Sequence, residues 1–224
     1  MKAAIFDSGA LINLSMNGFL YILEKLKKDF DGKFLITDDV KYETIDRPIK
    51  IERFELGALR VKKLLDSGVL EMPSSMGIDH NLVRKRTEDF MTEANHFLQK
   101  SNKWIKIVSE GEMSCLALSE ELTKKGVDNL IVIDERTTRT LSEKPENLGQ
   151  IMSNKLHQKV YLATNNFSTF SKFRFIRSPE LVYVAYKKGI LEISGPKALE
   201  ASLYATKFKG SAISFDEIKV LKKM

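Results

Sequence analysis

The chain has one cysteine and three histidines in its 224 residues. A lone cysteine excludes an intramolecular disulfide and suits a reducing compartment, so a cytoplasmic location is expected. Even with the histidines it falls short of a zinc site's ligand set. Cys115 lies in the apolar stretch Met113-Ser114-Cys115-Leu116-Ala117-Leu118, where a buried structural thiol fits better than a nucleophile. No apolar run reaches the ~18 residues that read as a membrane span. The opening residues do not show the basic, apolar and cleavage-site order of a secretory leader, so none is expected. Internal repeats, low-complexity tracts and flexible linkers are also missing.

What is present is a globular composition with uneven charge. A hydrophobic fraction of 43% is enough for a real core, and one domain spanning 1–224 is expected. Residues 1–134 hold 20 Lys+Arg against 22 Asp+Glu, a balance of −2, whereas residues 135–224 hold 16 against 8, a balance of +8. An acidic part beside a basic part suits a protein that holds a cation and neutralises phosphates, although a lysine-rich solvated surface has the same composition.

Strand and helix patterns alternate. Residues 2–7 read as a short buried strand, followed by helices over 8–14 and 19–28. A strand at 34–37 leads into a short helix carrying Val40, Glu43 and Thr44, which Pro48 ends. An amphipathic helix is expected over 49–66, a strand over 69–72 and a polar helix over 80–103. The helix from Gly111 to Lys125 opens with a capping box, Ser109 to Glu112, and stops at Gly126. A strand over 129–134 follows, then a helix over 145–157, a strand over 159–163 and an extended piece over 172–176. Further helices start at Ser178, Pro196 and Ser214. This order predicts an α/β fold around a mostly parallel sheet.

Four acids stand out against that pattern. Asp7 and Asp134 each end an apolar strand, and Glu43 and Glu112 each sit in the first turns of a helix. Sites in such sheets form beyond the carboxyl ends of the strands. Four carboxylates gathered there resist ionisation unless a cation neutralises them, and oxygen ligands suit Mg²⁺ or Mn²⁺. Each acid also has a plain structural role open to it. Glu112 can complete the capping box, Glu43 can pair with Arg47, and Asp7 and Asp134 can cap helices. Ser8 beside Asp7 can hold a phosphate or cap its helix. Arg136 and Arg139, just past Asp134, can meet a phosphate or pair with Glu135 or Glu143.

These residues resemble a known family. Phe6-Asp7-Ser8-Gly9-Ala10-Leu11 is similar to the opening of a PIN domain, and Thr37 to Glu43 is similar to its second motif. Gly111-Glu112 with Leu116-Ala117-Leu118 resembles the third motif of one PIN subgroup. Ile131 to Arg136 resembles that subgroup's fourth, with Arg139 at a basic position beyond it. Arg177 to Ile190 resembles its late helix. The resemblance implies a three-layer α/β/α sandwich and an Mg²⁺- or Mn²⁺-dependent endoribonuclease, with Asp7, Glu43, Glu112 and Asp134 as catalytic metal ligands. Ser8, Arg136, Arg139 and Arg177 are then candidates for contact with RNA. Homodimerisation, an antitoxin-like protein partner and a stand-alone RNA-processing role all stay open. So does an RNA-binding or scaffold module with an idle site.

Two segments lie outside the minimal pattern. A helical insertion is expected at about 80–106. Its cluster Arg84-Lys85-Arg86 with Lys100, Lys103, Trp104 and Lys106 can touch RNA or form a solvated face. A helical extension is expected over 190–224. Thr164-Asn165-Asn166 can bind a phosphate or water, or form a turn.

Overall fold

The computed structural model describes residues 1–164 and 166–224; Asn165, one of the candidate phosphate contacts, lies outside the described residues. Strand β1 (Lys2–Phe6) is followed by helices α1 (Ser8–Met16) and α2 (Tyr21–Asp29) and strand β2 (Gly32–Leu35). The short helix α3 (Asp38–Lys41) runs into a π-helical turn over Tyr42–Asp46, and α4 covers Glu52–Asp66. Helix α5 (His80–Ala94), strands β3 (Leu98–Lys100) and β4 (Lys103–Trp104) and helix α6 (Glu110–Lys124) come next. Then follow β5 (Asp128–Val132), α7 (Arg136–Glu143), α8 (Leu148–Leu156), β6 (Tyr161–Leu162), β7 (Phe175–Ile176) and α9 (Ser178–Lys187). Helices α10 (Ala198–Phe208) and α11 (Phe215–Lys223) close the chain.

Strands β2, β1, β5 and β7 form one parallel sheet in that order. In β1 the four residues Ala3 to Phe6 are all buried, which requires cover on both faces. Helix α6, with α5 packed against it, lies on β1 and β5; α1 and α2 each pack against α9. The result is an α/β sandwich around a parallel sheet, as the alternating pattern predicts, in the three layers that the resemblance implies. No helix among the described residues is long and apolar enough to cross a membrane.

Three segments differ from expectation, the first being α7, a helix where the sequence pattern predicts none before residue 145. The helix expected through residue 103 stops at Ala94, and the chain turns into the β3–β4 hairpin. Its tip, Ser101-Asn102, has both φ values positive, at 49° and 60°. That is the backbone of a tight two-residue hairpin loop, and it cannot continue a helix. β3 also pairs antiparallel with β6, giving a second, small sheet of order β4-β3-β6. The strand expected over 69–72 reduces to a single bridge, Leu35 to Glu71, before Pro73.

The C-terminal helices carry a small core of their own, Leu199, Leu203, Ile213 and Ile218. Polar ties attach them to the sandwich. Asn13 Nδ2 donates to Thr206 O at 2.8 Å, and Arg177 Nη1 donates to Ala212 O at 3.1 Å and to Glu217 Oε1 at 2.9 Å. Arg177 is 6% exposed, and its remaining nitrogens serve Glu180. Arg177→Ala is therefore expected to loosen α11. The cost should be roughly 2–3 kcal/mol, below that of a fully buried pair because Glu217 is half exposed. Chemical denaturation together with limited proteolysis of the last 35 or so residues checks it: early cleavage is expected within 190–224 and none in the sandwich.

Candidate acid site at the sheet edge

The parallel register decides where the strand-end acids go. Phe6 pairs with Val132, and Asp7 N donates to Val132 O at 3.0 Å. Carried one residue on, Asp7 lies level with Ile133, and Asp134 lies one residue beyond. Successive residues of a strand point to opposite faces, so the two carboxylates leave the sheet on different sides.

Asp7 turns towards α6. It caps α1, with Gly9 N donating to its Oδ2 at 3.0 Å. Its Oδ1 is buried and has no hydrogen-bond partner. Burial first, and then the charges of Glu112 and Glu43, push its carboxyl up to about 8. Glu43 stands on the π-helical turn, a local widening that recurs at functional sites. It makes no hydrogen bond or ion pair among the described residues, so the pairing with Arg47 is not formed. Its carboxylate lies over Gly111, where a Cβ would meet Glu43 Oε2 at 2.5 Å. Glycine is thus the residue that lets Glu43 come this close to α6.

Glu112 plays both of its expected parts. Its Oε2 accepts from Ser109 N at 3.2 Å, completing the capping box, and from Thr138 Oγ1 at 2.7 Å. Its Oε1 has no protein donor among the described residues. Burial raises its pKa and the charge of Glu135 adds to that, while the Thr138 and Ser109 bonds act against it. The buried thiol of Cys115, beneath the site, registers the same convergence. Its pKa is raised by burial and then by Asp7, Glu43, Glu112 and Asp39.

Asp134 does not join them. Its Oδ1 accepts from Ser178 N at 2.9 Å and Ser211 Oγ at 3.0 Å, and its Oδ2 from Ser178 Oγ at 2.6 Å. Its backbone carbonyl accepts from Ala212 N at 3.1 Å. Both carboxylate oxygens are therefore taken, and Asp134 clamps the α9 N-terminus and the 211–212 loop to the end of β5. Burial raises its pKa and the serine donors oppose that. Asp39, which the sequence does not single out, comes closer to the Glu43 side. Burial raises its pKa, followed by the charges of Glu110, Glu43 and Asp38. The signal for it was its place in the Asp-Asp pair behind the Thr37 cap; Asp38 instead meets His80 Nδ1 at 2.6 Å. Among the described residues, no three acidic, histidine or cysteine side chains are drawn tightly enough together to enclose an ion. Asp7, Glu43 and Glu112 are close enough to repel, and each has an oxygen with no protein donor.

The basic candidates lie on a neighbouring surface. Arg136 and Arg139 line a cleft of about 610 Å³ with Lys144, Arg177, Lys207 and Phe215. Arg136 is exposed and makes no ion pair among the described residues. Arg139 pairs with Glu143 at 3.1 Å, while its buried Nε has no partner. Arg177 is committed to Glu180, Glu217 and Ala212, which leaves it a structural part. Ser8 sits half-buried in the first turn of α1 beside Asp7, and its hydroxyl has no partner among the described residues. Asp7, Glu43 and Glu112 do not line this cleft.

The two strand-end aspartates should separate in experiment. Without a bound cation, Asp7 takes up a proton on folding. The stability this adds is fully present below its ordinary pKa of 3.8 and is gone once pH passes about 8. Stability of ion-free protein is expected to fall between pH 5 and 7 by up to ~1.4 kcal/mol per unit. Asp7→Asn keeps the helix cap and should flatten that slope. Asp134→Asn should instead lower stability by ~1.5–3 kcal/mol through weakened charge-assisted bonds, leaving the Asp7 share of the slope in place. Urea titrations at several pH values in EDTA measure both.

Comparison with protein-family models, with curated proteins and with solved structures found no match.

Proposed function

We propose that the chain is a metal-dependent endoribonuclease whose reaction centre is built from Asp7, Glu43 and Glu112. The observation that carries this is Asp7 Oδ1, a buried carboxylate oxygen with no donor, on a carboxyl whose pKa is raised by burial and by the charges of Glu112 and Glu43. Burying a carboxylate beside like charges is costly unless a cation or a proton compensates it. An oxygen-only donor set fits Mg²⁺ or Mn²⁺. The PIN-like motif order and the parallel α/β/α fold support the same reading. When bound, such an ion would supply an activated water and offset charge on the phosphate.

The chain's own residues set up the rest. The α1 N-terminus fixes Asp7 through Gly9 N, and Thr138 with Ser109 fixes Glu112 on one oxygen, leaving the other free. Gly111 admits Glu43. Arg136 supplies an exposed cation beyond Asp134 and Arg139 a partly engaged one, where phosphates of a strand crossing the sheet edge would be held. Asp134 keeps the basic C-terminal part docked beside them.

A second reading, an RNA-binding module that does not cut, draws support from Asp134. A strand-end acid fully bound by serines is one fewer oxygen donor for a cation. The two readings part on Mn²⁺-dependent cleavage of single-stranded RNA.

The nuclease reading predicts that Mn²⁺ raises the melting temperature. The gain should approach ~2.7 kcal/mol at a hundredfold excess over the dissociation constant. Asp7→Asn should remove most of the rise and stop cleavage. Gly111→Ala, which pushes Glu43 away, should weaken the Mn²⁺ response with little loss of folded protein. Arg136→Ala and Arg139→Ala should weaken RNA binding and flatten its log–log salt slope by roughly 0.7 each. Wild-type cleavage by Asp7→Asn would rule the reading out.

A further inference from the structure

The small sheet β4-β3-β6 joins two stretches that are far apart in sequence and share one property. Residues 94–109 and 147–179 contain no aspartate or glutamate. The first carries Lys100, Lys103 and Lys106, and the second brings Lys159 to the edge of β6. None of these four lysines makes an ion pair among the described residues. In contrast, Arg84 pairs with Glu88, and Arg86 is held by Glu120 against the Phe90 ring. Of the basic cluster on the helix, Arg84 and Arg86 are thus neutralised and Lys85 is not, whereas the lysines of the small sheet are all unneutralised.

The register puts three side chains in one row. Gln99 is directly opposite Trp104 on one side and Tyr161 on the other. Residues directly opposite in antiparallel strands share a face, and this one is the solvent face. Leu98, the neighbour on the other face, is fully buried. Trp104 is 48% exposed and Tyr161 55% exposed. The two aromatics stand two strand spacings apart, ~10 Å, with an amide between them. His96 packs its ring edge-on at 4.9 Å from Trp104, and Lys159 Nζ lies 5.0 Å from the Tyr161 ring centre. At the hairpin tip Lys100 is directly opposite Lys103, a like-charge pairing that costs stability.

From this row we infer that the small sheet is a binding platform for single-stranded RNA. Two bases stack on Trp104 and Tyr161, the Gln99 amide reaches a base edge, and Lys106 and Lys159, each two residues along from one of the aromatics, hold the phosphates; Lys100 and Lys103 lie on the Leu98 face. Aromatic faces accept only unpaired bases, and acid-free flanks attract the backbone that carries them. The choice of RNA rests on the ribonuclease reading of the acid site. The chain links the two directly: Trp104 is five residues from Ser109, the cap of the helix that bears Glu112, so at most ~18 Å separates them. A strand held on the platform is therefore within a few nucleotides of the acids.

Trp104 is the sole tryptophan, so its emission reports on the platform alone. The test is a titration with a short oligouridylate in EDTA, where no divalent cation is present, followed by Trp104 fluorescence and by anisotropy of labelled oligonucleotide. Saturable quenching by single-stranded RNA is expected, and much less by a duplex of the same length. Trp104→Ala and Tyr161→Ala should each weaken binding roughly tenfold, while Trp104→Phe keeps most of the affinity. Lys106→Ala and Lys159→Ala should each flatten the salt slope by roughly 0.7. Unchanged emission, or equal affinity in Trp104→Ala and Tyr161→Ala, overturns the platform even if Mn²⁺-dependent cleavage is intact. The same holds if those substitutions dissolve a dimer and leave RNA binding untouched, because the face is then a self-interface. RNA binding with these dependences but no cleavage in Mn²⁺ keeps the platform and sinks the nuclease.

Discussion

The parallel pairing of β1 with β5 is the constraint on which the rest of the site depends. It brings two strand-end aspartates to one edge of the sheet, offset by a single residue. That offset sends Asp7 to the α6 face and Asp134 to the α9 face. Each is almost completely buried, at 2% and 3% exposed. A buried carboxylate must be compensated, and the fold answers in two ways. Asp134 receives three donors from Ser178 and Ser211 and becomes a clamp. Asp7 receives one donor on one oxygen, and its other oxygen is left without one, while the charges of Glu112 and Glu43 help to raise its pKa.

The two solutions divide the labour of the molecule. The clamp turns electrostatic cost into architecture: with Arg177, it ties a C-terminal unit with a separate small core to the sandwich. That unit lies in the part of the chain with a charge balance of +8, so docking it also fixes the Arg136–Lys207 cleft. At the open acid site a proton on Asp7 compensates its burial when no cation is bound, and Gly111 leaves the room that Glu43 on the π-helical turn occupies.

The sequence made much of this legible. The apolar runs ending in Asp7 and Asp134 marked β1 and β5, and the Ser109–Glu112 box marked the start of α6, because local chemistry dictates those features. The burial of Cys115 followed from its apolar neighbours. Other features depend on pairing, which one chain read in order does not display. The face taken by Asp134 is set by register with β1, and the serines that bind it come from residues 178 and 211. The helix expected through residue 103 stops at Ala94, ahead of a hairpin whose tip, Ser101-Asn102, lacks the glycine that usually announces a two-residue loop. The row of Trp104, Gln99 and Tyr161 needs two antiparallel pairings before it exists at all. Arg177 looked like a phosphate contact from its charge, and only tertiary packing shows that its donors are spent on Glu180, Glu217 and Ala212.

The central claim is that Asp7, Glu43 and Glu112 form one cation-binding centre from which Asp134 is excluded. Diffraction from crystals soaked in Mn²⁺, collected to show the anomalous signal of the metal, tests it most directly. The account predicts a peak among Asp7 Oδ1, Glu43 and Glu112 Oε1, with Asp134 still bound by Ser178 and Ser211. A metal held by Asp134, or no peak near Asp7 at saturating Mn²⁺, would contradict it.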